Sequence, residues 1–315
     1  MLLGLLFGAV YQPTFLKPFI LPITFVMVYP MMVNLQIKKV FSGGDYQLQL
    51  TTLLINFGII PFVVFALGKL FFRDNALAAL GLLLAATLPT SGMTISWTGF
   101  AKGNLNAAIK MAVLGLTIGS LATPLYAKSL MGTVVEIPLA KIFYQVAAIV
   151  FLPMVLGYIT QRLIIRQYGE AKYRHDLAKK FPLVSTVGLL GIVFTAMALK
   201  ANTILDNPAG LLSLLLPLLL MYGFTFSLGT IVGRLFFARN DAIALVYGTA
   251  PKNLSIALAI AMNAFGKQGS EIALVIALAF VIQIQSSAWY NRFVDRIFGK
   301  HLAVAPATTK APALG

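Results

Sequence analysis

The chain has 315 residues, of which 59% are hydrophobic and only 10% charged, with a net charge of +15 and no cysteine. Soluble domains carry about 25% charge, and a mean hydropathy of +0.88 leaves too little polar surface for a soluble shell. Without cysteine there is no disulfide, thiolate metal site or thiol nucleophile. The two histidines, His175 and His301, lie far apart in polar stretches, so neither a metal centre nor a cofactor is expected. The positive charge does not point to nucleic acid, because it sits in short loops between apolar blocks.

Those blocks have the length of membrane-crossing helices, each needing about 20 apolar residues. They lack the polar–apolar alternation of barrel strands. The spacing predicts an all-α polytopic membrane protein of about ten segments, over residues 1–12, 18–36, 50–72, 76–100, 105–127, 139–165, 182–200, 209–236, 242–264 and 270–291. The first is too short to span and reads as a truncated first helix. One transporter domain covers 1–301, and the Ala/Pro-rich stretch 302–315 reads as a disordered tail.

Loop charge sets the orientation. Lys38, Lys39, Lys102, the run from Arg162 to Lys180, Arg234, Arg239, Arg292, Arg296, Lys300 and Lys310 fall on one side. Fewer basic residues (Lys17, Lys69, Arg73, Lys128, Lys141, Lys200 and Lys267) fall on the other. The positive-inside rule makes the first side cytoplasmic, with both termini inside a plasma or inner membrane.

Two stretches resemble each other at about 165 residues' separation, one five-helix unit of an inverted repeat. KLFFRDNALAAL (Lys69 to Leu80) leads into TLPTSG and FAKGN; RLFFARNDAIAL (Arg234 to Leu245) leads into GTAPKN and FGKQG. An odd number of crossings separates the copies, so they enter the membrane from opposite sides. The repeats run over about 1–131 and 134–297.

Pro89 lies midway along the fourth segment and Pro251 midway along the ninth. Proline removes a donor and clashes with the preceding turn, and unwound backbone at membrane depth persists only inside protein or along a cavity. Paired breaks therefore point to a substrate or coupling site. Its candidates are Pro89, Thr90, Ser91, Thr94 and Trp97 from the first break, and Thr249, Pro251, Lys252, Asn253 and Ser255 from the second. Lys252 is about ten residues from either end of its segment, too deep to reach water. None of the nine acidic residues is placed to pair with it, so its removal is expected to leave folding intact. It should meet an anion, sit neutral with protons as the coupling ion, or bond to freed carbonyls. Lys110, nearer a segment end, is expected to snorkel.

These segments resemble the arsenical-resistance (arsenite efflux) permeases, a branch of the bile acid:sodium symporter superfamily. PFILPITFVMVYPMMV is similar to their M-x-Y-P-M-M segment, and INFGIIPFVVFALGKLFF to N-W-x-x-x-P-x-x-x-F-A-L with Phe57 for Trp. PTSGMTISWTGFAKGN matches P-C-T-A-M-V-F-V-W-S…G-N at Pro89, Met93, Trp97, Gly103 and Asn104. APKNLSIALAIA resembles S-N-N-F-E-L-A-I-A-V-A. The likeness runs from about residue 18 to 290. It implies ten helices in two inverted halves, a panel and a core, with the fourth and ninth crossing at their breaks.

The departures fall on the chemistry. Thr90 stands where those permeases carry Cys, and Ser255 where they carry Glu. Sodium symporters of the superfamily show E-x-x-x-Q-N at the ninth break; here Gly248 replaces the carboxylate and Lys252 the amide. The expectation is a secondary active transporter, no enzyme, moving a small anionic or oxyanion-like solute without sodium at that site. A sodium-dependent organic-anion symporter and a non-transporting membrane sensor remain the alternatives.

Overall fold

The structure, a computed structural model, describes residues 2–11, 13–36, 43–90, 92–199, 201–206 and 208–299. All regular structure there is helical. In chain order come α1 (Leu2–Val10), a 3₁₀ stretch (Pro13–Phe19), α2 (Ile20–Val33), α3 (Tyr46–Leu53), α4 (Ile60–Phe71), α5 (Ala76–Thr87), α6 (Gly92–Phe100) and α7 (Leu105–Met131). The second half holds α8 (Leu139–Val146), α9 (Leu152–Tyr168), α10 (Glu170–Lys172), α11 (Phe181–Leu199), α12 (Ala201–Asp206), α13 (Pro208–Phe236), α14 (Arg239–Thr249), α15 (Leu254–Ala264) and α16 (Gly269–Phe298).

Among the described residues, seven helical segments are long and apolar enough to cross a membrane. They are Pro13–Val33, Tyr46–Phe71, Leu105–Met131, Leu139–Tyr168, Phe181–Leu199, Leu212–Phe236 and Gly266–Phe298. Ala76–Thr87 and Leu254–Ala264 are shorter apolar helices; the first ends at one break and the second begins at the other. The proposed tail and Ser91 lie outside the described residues.

Two crossings carry a π-helical turn, Leu54–Ile59 and Ala147–Phe151, and each is followed two residues later by a proline, Pro61 and Pro153. A proline cannot donate to the carbonyl four residues back, and the widened turn absorbs the clash. Tyr126 of α7 donates to Phe57 O at 2.5 Å, satisfying the carbonyl that Pro61 leaves open.

The helices sort into two bundles. α1, α2, α9 and α11 pack on one another through α2–α11, α1–α11 and α2–α9. A Cβ added at Gly188 of α11 would stand 2.5 Å from Met27 N, and one at Gly157 of α9 2.7 Å from Met32 C, so backbone meets backbone there. Close approach of small residues is how helices associate without a hydrophobic drive between them. α3 to α7 and α13 to α16 form the second bundle, joined through α4–α5, α13–α14, α15–α16, α5–α16 and α7–α14.

Polar contacts gather several loops on one face. Arg239 pairs with Asp295 at 2.6 Å and donates to Lys102 O at 3.3 Å. Asn104 donates to Asp241 at 2.7 Å. Lys110 does not snorkel freely: it forms an ion pair with Asp45 and donates to Gly43 O at 3.2 Å, leaving the residue 4% exposed. Asp45 sits just before α3, near the same boundary, so the nearest charge-satisfying oxygen is protein rather than water.

Candidate functional site

α5 ends at Thr87 and α6 begins at Gly92; α14 ends at Thr249 and α15 begins at Leu254. The unwound links meet side by side, Pro89 pairing antiparallel with Lys252 and Asn253 N donating to Leu88 O at 2.7 Å. The two broken helices therefore cross at their breaks. The first link fits only because α7 presents glycine to it. A Cβ at Gly119 would stand 2.7 Å from Pro89 Cδ, and one at Gly115 2.3 Å from Thr90 Oγ1. Thr90 adopts φ of 59°, a left-handed conformation that a β-branched residue enters only under strain. Its hydroxyl lies 2.7 Å from Pro89 O and 3.0 Å from Met111 O.

Each break strips backbone groups of helical partners, and side chains replace them. Thr123 donates to Thr87 O at 3.1 Å. Gln283 of α16 grips Lys252 from both sides, accepting from its N at 2.7 Å and donating to its O at 3.1 Å. Tyr222 of α13 donates to the same Gln283 oxygen at 2.9 Å. Asn56, in the π turn between α3 and α4, donates to Gly248 O at 2.9 Å and accepts from Lys252 Nζ at 2.8 Å. Asn253 caps α15 by accepting from Ile256 N at 3.3 Å. Freed groups at this depth cost several kcal/mol each if left bare.

Lys252 is 1% exposed and Asn56 2%. The lysine nitrogen thus lies near the carboxyl end of α14, the end at which a helix dipole favours a cation. Its partner is a side-chain amide, neither an acid nor a backbone carbonyl. Removing Lys252 would leave Asn56 Oδ1 without this donor, which argues against the expectation that its loss leaves folding intact.

A cavity of about 780 Å³ lies between the two bundles and reaches the crossing. Lys252, Asn253, Ser255 and Gln283 line it on the side of the second bundle, with Met93 and Phe280. Met31, Met32 and Leu189 line it on the side of the first. At its far end stand Arg162, which lies over the Tyr158 ring at 5.3 Å, and Arg174, paired with Glu170 at 2.6 Å. Tyr173 ties that rim together, its hydroxyl lying 3.0 Å from both Val33 O and Asn34 Oδ1, either of which can accept its proton, and burial raises that hydroxyl above the usual tyrosine range. A neutral hydroxyl keeps its one proton to donate there.

Of the sequence candidates, Lys252, Asn253 and Ser255 reach the cavity. Pro89, Thr90, Thr249 and Pro251 are buried and shape the breaks; Thr249 spends its hydroxyl on Leu245 O at 2.9 Å. Thr94 is buried, and Trp97 stacks on Tyr247 at 6.4 Å, packing instead of lining. Asn56, Gln283 and Tyr222 were missed. Asn56 and Gln283 are amides in otherwise apolar crossings, and a polar side chain at that depth is itself a signal. Among the described residues no cluster of His, Cys, Asp or Glu could hold a metal.

Apolar crossings, paired helix breaks and a cavity at their crossing define a multi-pass helical membrane transporter. Residues 21–207, more than half the chain, match the model of the sodium bile acid symporter family, and the chain belongs to that family. It is 25% identical over 273 residues to an arsenical-resistance protein of Alkaliphilus metalliredigens, covering 82% of this chain and 76% of the relative. An uncharacterized transporter of Synechocystis is 25% identical over 287 residues (82% and 74%). The sodium/bile acid cotransporter 7 of Rattus norvegicus is 27% identical over 202 residues (62% and 56%).

Proposed function

We propose that the chain is a secondary active transporter of a small anionic solute, with its site at the crossing and no sodium bound there. The observation that carries this is the pair of half-helix starts, α6 and α15, facing the cavity beside the buried Lys252 ammonium. Helix starts present free N–H groups and positive potential, and a nearby ammonium adds to it. Asn253 and Ser255 supply polar contacts, and protons are the candidate coupling ion.

The same reading takes the architecture as ten crossings in inverted halves, with α1 as the truncated first. Supporting it, matching packings recur: Gly68 abuts Ala79 and Gly233 abuts Ala242, at 3.3 and 3.1 Å for an added Cβ. α1 lies on α11 as α9 lies on α2. The loops of Lys102, Arg239 and the Arg162–Lys180 run are then cytoplasmic, and the cavity is open inward. On the opposite side α15 packs against α2 and α8, with Asn263 donating to Thr24 Oγ1 at 3.2 Å.

A second reading, an organic-anion symporter, is favoured by the cavity size, since about 780 Å³ with methionine and leucine walls exceeds an oxyanion's needs. Reconstituted protein on a solid-supported membrane separates the two. Arsenite, phosphate, acetate and taurocholate are applied in sodium and in choline buffers. We expect protein-dependent anion transport that survives in choline. Transport that vanishes in choline and returns with sodium contradicts the sodium-free reading, and taurocholate alone being active selects the organic anion.

A further inference from the structure

We infer that the Lys252 ammonium is a resident cation for the second broken helix, held by Asn56, and that shortening Lys252 opens a site for an external alkylammonium ion. The inference rests on reading the crossing as the working part of the molecule, but its test needs no transported solute.

Three observations meet at one point. The break takes Lys252 N away to Gln283, so Gly248 O, which a continuous helix would pair with that N–H, is left without it. Asn56 fills the gap with its Nδ2, and this orients its Oδ1 outward toward the lysine. The lysine then bends back over the break and donates to that oxygen at 2.8 Å. The lysine and the amide are both buried, and among the described residues Lys252 Nζ donates to Asn56 and pairs with no acidic residue. The lysine nitrogen thus sits near the carboxyl end of α14, tethered covalently to the break and by one hydrogen bond to the π turn of a neighbouring crossing.

The oxygen set is wrong for a bare metal ion. Hard cations take several oxygen ligands, whereas here one amide oxygen accepts and the Gly248 carbonyl is already engaged. A primary ammonium needs only directional acceptors and suits the place better. Cutting Lys252 back to alanine leaves Cβ and removes three carbons and the nitrogen, the shape of n-propylammonium. The vacated slot ends at the Asn56 amide oxygen, an acceptor for an ammonium N–H.

The test is thermal unfolding of purified, detergent-solubilised full chain. Lys252→Ala should melt lower than the wild type. About 100 mM n-propylammonium should raise its apparent Tm by about 3 °C. Sodium, choline and n-propanol should not do so, and the wild type should not respond. In Lys252→Ala with Asn56→Leu the rise should vanish. Propanol matching propylammonium would show simple space filling and overturn the inference, as would an equal rise in the wild type, a rise with sodium, or no rise at all. If Lys252→Ala does not fold, the single variants decide. Asn56→Leu must melt well below Asn56→Asp, which keeps an acceptor, and equal melting overturns the inference. Failure to find a transported anion would refute the proposed function and leave this result untouched.

Discussion

At the scale of single residues, Lys252 and Asn56 form a buried pair joined by a 2.8 Å hydrogen bond. Lys252 was visible from its depth and from the acids' absence, but its partner was not. Asn56 is distant in sequence by 196 positions, and no local pattern relates the two. Ser255 and Asn253 were legible because they flank a proline. Trp97 was not, since an aromatic at helical spacing fits a cavity wall and a packed core equally. Lys110 was misjudged for a related reason. Snorkelling and pairing place the same residue near the same boundary, and only the fold brings Asp45 alongside. The pair is nearly dry, with side chains 5% and 13% exposed. Removing one partner of such a pair costs about 3 kcal/mol, while apolar replacement of both is close to neutral. Lys110→Met should therefore lower the melting temperature clearly, and Lys110→Met with Asp45→Leu should recover most of the loss in the same assay.

At the scale of elements, both interruptions were predictable from proline, and their crossing was implied by resemblance to known permeases. Their support was hidden. The first link lies in a trough of α7 made by Gly115 and Gly119, four residues apart on one helix face. The second is held instead by the amide of Gln283 on α16. The same task is met by removing side chains in one half and adding a polar one in the other. Sequence similarity between the halves cannot reveal this, because these residues differ between them. Gly119→Leu should drive atoms into Pro89, where a Cβ alone would stand 2.7 Å from its ring. Overpacking of that kind costs typically 1–3 kcal/mol. The variant should melt lower, whereas Ala122→Leu, at a half-buried site on the same helix, should melt close to the wild type.

At the scale of the whole molecule, two bundles meet around a cavity, and on one side α15 packs against α2 and α8 and, on the proposed reading, seals it. Apolar blocks gave the class of fold from composition alone, but the boundary between bundles is a matter of contacts and escaped the sequence. If the bundles move relative to each other, the seal must open. The chain has no cysteine, so Thr24→Cys with Asn263→Cys introduces a clean pair. Oxidising it should stop transport and reduction should restore it; full activity with the crosslink formed would mean this face stays shut throughout. The central claim, that the crossing works on its own lysine, is tested most directly by anion-evoked currents in sodium-free choline buffer. The wild type should give a current that added sodium does not change. Lys252→Ala and Lys252→Arg should give none, because one lacks the charge and the other brings a larger, planar group. Equal currents from the wild type and Lys252→Ala would contradict the account.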